Sequence, residues 1–215
     1  MENTQLIVIR HGETEWNLES RRQGFLDSPL TAKGIAQGGA LAQRLAKYSF
    51  TSLYSSDLSR AYQTAKLISD STGHAILIDQ RLRERNLGIF QGLKSEEIQK
   101  SYPEEYRQHR TSGPNYVIPQ GESARQQVQR NISCFEEFAQ KHLGEVIVVI
   151  THGGVLNALF RYTLSIPLEA PRRFEFTNAS INVFYYEKGS WMLQTWGDIS
   201  HLHSIGTSDD ADAYV

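Results

Sequence analysis

LIVIRHGETEWN, residues Leu6 to Asn17, is the stretch whose reading decides the fold. It opens on four apolar residues, Leu6, Ile7, Val8 and Ile9, three of them β-branched. A run this short, with no polar alternation, is a strand covered on both faces, as in parallel sheets. Arg10, His11 and Gly12 then fall at its carboxyl end, where open α/β sheets bind their ligands. A permanently charged guanidinium, an imidazole able to act as a nucleophile and a residue that lets backbone amides approach stand side by side. The expectation is a phosphate site centred on His11.

The construction recurs. Val146 to Ile150 is the most apolar strand, five branched residues in a row, and it runs into Thr151, His152, Gly153 and Gly154. A third junction leads from a strand at Thr51–Ser55 into a helix that begins near Arg60. If these strands are parallel neighbours, His11, His152, Arg10 and Arg60 surround one crevice. Phosphoryl transfer needs that set. Arginine meets the oxygens with a planar fork, a neutral imidazole can attack phosphorus, and charge stabilisation dominates the transition state. An acid must also protonate the leaving oxygen. Glu84, after a third short strand at Ala75–Ile78, and Glu13, nearer in sequence, are the rival candidates.

The remaining chain predicts alternating strands and helices. Gly12 to Pro29 reads as a loop. Thr31 caps a helix to about Tyr48, with Ile35, Gly38, Leu41 or Ala42, and Leu45 turned inward. A helix from about Arg60 to Ser71 is capped by Asp57 or Ser59 and ended by Gly73. Arg81 to Phe90 is irregular and charged. Ser95 to Tyr102 is a helix stopped by Pro103. Ser123 starts a helix to about His142 that buries Ala124, Val128, Ile132 or Asn131, Phe135 and Phe138. Val155 to Tyr162 is a further helix. Ile181–Tyr186 and Trp191–Trp196 form a hairpin through Lys188 and Gly189. The fold class expected is α/β: a three-layer sandwich with a mainly parallel central sheet, helices on both faces and an edge hairpin near the C-terminus. Residues 1–215 form one domain in this reading, with a lid or insertion at about 92–121 and a loose tail from about Gly206.

Bulk properties narrow the partners. The formal net charge of −2 gives no basic field for nucleic acid. One cysteine, Cys134, excludes an intrachain disulfide framework. Met1 to Gln5 lacks the features of a secretory signal, and no apolar run approaches the ~20 residues of a membrane span. The expectation is a cytoplasmic protein without membrane or nucleic-acid partners. No HExxH or clustered carboxylate pattern accompanies His11 and His152, so no metal is expected. His201 and His203 read as structural or surface residues.

Six ordered segments carry a family resemblance: RHGETEWN at Arg10–Asn17, SPLTAKGIAQ at Ser28–Gln37, SSDLSRAYQTA at Ser55–Ala65, LRERNLGIFQG at Leu82–Gly92, GES at Gly121–Ser123 and THGG at Thr151–Gly154. The chain resembles the histidine phosphatase superfamily, in the branch of the cofactor-dependent phosphoglycerate mutases and their phosphatase relatives. The resemblance implies His11 as the phosphorylated nucleophile. It implies Arg10, Arg60 and His152 as holders of the phosphoryl group and Glu84 as the proton donor. Asn17, Gln23 and Gly24 match positions lining the substrate pocket, and Gly153 beside His152 is expected to join them. It implies no metal and no cofactor.

The segment LKSEEIQKSYPEEYRQHRTSGPNY has Arg107 and Arg110 but no consecutive arginine pair of the mutase type. Its Tyr-Pro-Glu-Glu-Tyr wording resembles that of the broad-specificity phosphatases, and GDISHL at Gly197–Leu202 resembles both phosphatases and short proteins labelled phosphoglycerate mutase by similarity. The function expected is therefore a metal-independent phosphatase acting on a small phosphorylated metabolite. A phosphoglycerate mutase, an isomerase, is the first alternative. A non-catalytic phospho-ligand binder is the second, and an edge hairpin could support a homodimer.

Overall fold

Strands β1 (Thr4–Arg10), β2 (Ser52–Ser55), β3 (Ile76–Ile78), β4 (Val146–Thr151), β5 (Ile181–Glu187) and β6 (Ser190–Asp198) form one sheet in a computed structural model that describes residues 3–206. Their order is β3-β2-β4-β1-β5-β6. The β1–β4, β2–β4 and β2–β3 pairings are parallel, and β5 and β6 close one edge as an antiparallel hairpin. β4 lies between β1 and β2, as expected of the most apolar strand. The expected loose tail lies, beyond Gly206, outside the described residues.

Alternate side chains of β1 feed two separate cores, as the two-residue period of a strand requires. Ile7 and Ile9 join Val148 and Ile150 under α2 (Ala32–Leu45) and α3 (Ser59–Thr72), which contribute Leu41, Leu45, Ala65 and Ile68. Leu6 and Val8 join Ile147 and Val149 under α6 (Ala124–Lys141) and α7 (Gly153–Thr163), which contribute Phe135, Phe138, Leu156 and Leu159. Both faces are thus helix-covered, which makes the architecture a three-layer α/β sandwich. Among the described residues no helix is long and apolar enough to cross a membrane.

Several local expectations are corrected. The polar stretch after β1 is not all loop: α1 (Glu15–Leu18) forms there, with Thr14 and Asn17 in a reciprocal capping box. Thr31 does cap α2, its oxygen accepting from Gly34 N, but Ile35 is 52% exposed and the inward face holds Gly34, Gln37, Gly38, Leu41, Ala42 and Leu45. Neither Asp57 nor Ser59 caps α3. Asp57 is paired with Arg83, and Asp27 from a distant loop accepts the Ser59 N–H at 2.8 Å. Pro103 does not simply stop α4 (Ser95–Ser101); it is the first residue of α5 (Pro103–Thr111), where its missing N–H costs nothing. Ala124 and Val128 are half-buried because they border a cleft. Within 87–118, Leu87, Phe90, Ile98 and Ile118 form a small core of their own.

Gly34 explains the turn of α2. A Cβ there would sit 2.0 Å from the Glu13 carbonyl oxygen, two residues beyond His11. Only glycine lets the helix touch that backbone, so it fixes which face points inward. Gly34→Ala would gain up to ~1 kcal/mol of helix propensity, but the clash is with backbone and costs about 1–3 kcal/mol. The clash wins, and the variant is expected to unfold at a lower urea midpoint than wild type.

Candidate active site

Three strand ends meet at one point. Arg10 is in register with Thr151, and Ile150 with both Ile9 and Ser55. The next residues are stitched by backbone bonds, from His11 N to the Thr151 carbonyl at 2.9 Å and from Ser56 N to the Ile150 carbonyl at 3.0 Å. This brings His11 and His152 together, their ring centroids 5.2 Å apart and their planes at 60°. Both imidazoles are buried.

Each histidine is held in one orientation. The Gly12 carbonyl lies 2.7 Å from His11 Nδ1 and accepts its proton, which leaves the lone pair on Nε2. His152 Nε2 lies 2.9 Å from Ser56 Oγ. That oxygen also accepts the Leu58 N–H at 3.3 Å. His152 Nδ1 is buried with no hydrogen-bond partner among the described residues. Burial, then the Arg60 and Arg10 charges, hold His11 well below the usual histidine range, against a smaller upward pull from the Gly12 carbonyl. Burial, Arg60 and His11 do the same to His152. Both rings are neutral at pH 7.

The guanidinium groups are anchored from the protein side. Arg10 donates to the Phe176 carbonyl. Arg60, in the first turn of α3, donates to the Gly24 and Leu26 carbonyls and to Asp27, each at 2.9 Å. Asp27 therefore fixes both the helix start and the cation on it.

Glu84 enters from the irregular segment after β3. Its Oε1 accepts from Arg85 N at 2.7 Å and from Gln127 Nε2 at 3.1 Å, and its Oε2 accepts from Gly154 N at 2.9 Å. The last donor belongs to the amino end of α7. A Cβ at Gly154 would lie 2.0 Å from Glu84 Oε1 and would push the carboxylate out of this position. Glu13, the rival acid, is committed elsewhere: its carboxylate accepts from Thr31 Oγ1 at 3.0 Å and pairs with Lys33 at 3.2 Å.

A cleft of about 680 Å³ opens over this point, and His11, Gln23, Gly24, Arg60 and Glu84 line it. Arg10 and His152 are fully buried and do not line it. Asn17 and Gly153 are also outside it. Asn17 Oδ1 accepts from Thr14 N and from Asn178 Nδ2, and Asn178 Nδ2 also donates to the His11 carbonyl. Sequence reasoning missed Ser56, Gln127 and Asn178, which orient the named residues, and Arg22, Arg85, His109, Asn157 and Arg161 on the cleft wall. Gly154 was legible in THGG; the others carried no local signal. Among the described residues, no three His, Cys, Asp or Glu side chains cluster as a metal would require.

A sequence model of the histidine phosphatase superfamily (branch 1) matches residues 6–199. The chain is 40% identical over 206 residues to "Phosphoglycerate mutase-like protein 4" of Arabidopsis thaliana, covering 94% of this chain and 88% of that protein. It is 39% identical over 209 residues to "Metal-independent phosphoserine phosphatase" of the same plant, covering 95% and 86%. Among solved structures, "Bacillus stearothermophilus YhfR" superposes with a TM-score of 0.85 at 32% identity, covering 93% of this chain and all of that one.

Proposed function

The chain belongs to branch 1 of the histidine phosphatase superfamily, and from that footing we propose that it hydrolyses small phosphomonoesters through a phosphohistidine formed at His11, with no metal. One observation carries the reading. Two buried, neutral imidazoles 5.2 Å apart share one crevice with a guanidinium and a carboxylate that face the same cleft.

The chemistry runs in two steps. His11 Nε2 attacks phosphorus and the N–P bond forms as the P–O ester bond breaks. Arg10 and Arg60 stabilise the charge on the phosphoryl oxygens, and His152 donates to them from Nδ1. Glu84 gives its carboxyl proton to the departing oxygen. The alcohol leaves, and a water takes its place. Glu84 takes a proton from that water, the water oxygen bonds to phosphorus, and the N–P bond breaks to release phosphate. Guanidinium groups supply the positive charge that a metal would otherwise bring.

A small phosphorylated metabolite is the substrate class we assign. Similarity to a metal-independent phosphoserine phosphatase supports it and makes phosphoserine the first compound to test. The single, buried thiol of Cys134 suits a cytoplasmic setting. Similarity to a mutase-like protein favours a second reading, phosphoryl return to the product instead of hydrolysis. Incubation with 3-phosphoglycerate separates them: inorganic phosphate is expected, and 2-phosphoglycerate as main product would overturn the hydrolase reading. Excess chelator should leave p-nitrophenyl phosphate turnover within about 2-fold, because the charge stabilisation is held in guanidiniums. A large loss restored by a divalent ion would refute the metal-free mechanism.

A further inference from the structure

Arg161 is a buried charge without an acidic partner. It stands on α7, 5% exposed, on the wall of the cleft. Its Nε donates to Asn157 Oδ1 at 2.8 Å and its Nη1 to the Pro167 carbonyl at 2.7 Å. Its guanidinium carbon lies 5.6 Å from the centre of the Phe174 ring. All of these partners are neutral, and no carboxylate pairs with it among the described residues. Glu169, the acid nearest in sequence that also lines the cleft, pairs instead with Arg125. A buried cation left without a counter-ion is costly, and three neutral contacts that lock its fork in place make the cost a feature of the site. Burial, and then the like charge of Arg172, pull its pKa below the usual arginine value.

The position is informative. Gly154, Asn157 and Arg161 are spaced three and four residues apart and lie on one face of α7. Gly154 holds Glu84, so this face begins at the reacting centre. A helical side chain reaches back toward the amino end, and the bond to Asn157 fixes the Arg161 head about one turn, roughly 5 Å, beyond Gly154.

We propose that Arg161, braced by Asn157 and the Pro167 carbonyl, binds a carboxylate on the substrate's alcohol, so that phosphate esters of hydroxy acids are selected over esters of neutral alcohols. This rests on hydrolysis at His11, and p-nitrophenyl phosphate, which has no carboxylate, reports that chemistry separately.

The test uses a matched pair, 3-phosphoglycerate and glycerol 3-phosphate, which differ in a carboxylate against a hydroxymethyl. Wild type is expected to favour the acid by at least about 10-fold in kcat/KM, one charge-assisted contact's worth. Arg161→Gln should abolish that preference through a higher KM for the acid, leave glycerol 3-phosphate and p-nitrophenyl phosphate within about 2-fold, and Arg161→Lys should restore part of it. Equal losses on all three esters would make Arg161 a structural residue, and no loss on any would end the proposal. A loss seen only with 1,3-propanediol bisphosphate would overturn the carboxylate assignment in favour of a second phosphate. Should wild type turn over none of these esters, the hydrolase reading fails first. Calorimetric binding of 3-phosphoglycerate, weakened by Arg161→Gln or not, then decides the subsite alone.

Discussion

His11→Ala is expected to lose on the order of 10⁴–10⁶-fold in kcat for p-nitrophenyl phosphate, the scale seen when a covalent nucleophile is removed. His11 Nε2 is the lone pair left in the crevice once Gly12 has taken the Nδ1 proton. His152 is 5.2 Å away, and its Nε2 is engaged by Ser56 Oγ. It cannot stand in as nucleophile without losing that contact. The variant should also fail to take up acid-labile, base-stable phosphate when mixed with substrate, whereas wild type should carry it. Circular dichroism and the urea midpoint check that the fold survives the small cavity. Retained turnover in a folded His11→Ala protein would discard the nucleophile assignment. The pH profile adds an independent check. Only the neutral ring attacks, and burial with the Arg60 and Arg10 charges holds its pKa below the ordinary ~6.5. Activity should therefore persist below that pH and fall only as acidity reaches the lowered value.

The parts of this site that were legible in the sequence are those whose signal is local. A strand buried on both faces must be continuously apolar, so Leu6–Ile9 and Val146–Ile150 announce themselves, and the residues after them must stand at strand ends. Thr31 is readable as a cap, and Ser123 as a helix start, because a helix's first turn is defined by its own neighbours. What stayed hidden depends on contacts between distant segments. Asp27 caps α3 from a loop more than thirty residues upstream, a pairing no spacing rule contains. Ile35 fits the apolar period of α2, but Gly34 has to meet the Glu13 backbone, and that contact rotates the helix by one position. Glu84 and Glu13 were equal rivals by spacing. The resemblance chose Glu84, and the Thr31 and Lys33 partners explain why Glu13 lies elsewhere. Arg161 looks like an ordinary basic residue in a helix's last turn. Its missing counter-ion is visible only once the 164–172 segment has folded over it.

Glu84→Gln is the second large effect, and its leaving-group dependence is what identifies the role. The substitution keeps size but replaces one acceptor oxygen by an amide donor. Arg85 N, Gln127 Nε2 and Gly154 N all donate to its carboxylate. One of them then faces a donor, which costs about 1–3 kcal/mol of stability. Some loss of activity would therefore follow even if Glu84 were only structural, and a bare drop in kcat proves nothing. Proton donation matters little for p-nitrophenolate, which departs unaided, and greatly for an alkoxide. Formation of the phosphoenzyme should slow by roughly 10²–10⁴-fold with an alkyl phosphate but much less with p-nitrophenyl phosphate. Because the same carboxylate later activates water, p-nitrophenyl phosphate should give a rapid burst of one equivalent of nitrophenol followed by slow turnover, with phosphate retained on the protein. A structural role predicts a different pattern, equal slowing of both esters and no burst. That pattern, in a variant whose unfolding midpoint has dropped, would remove Glu84 from the chemistry and leave proton transfer to water at the cleft mouth.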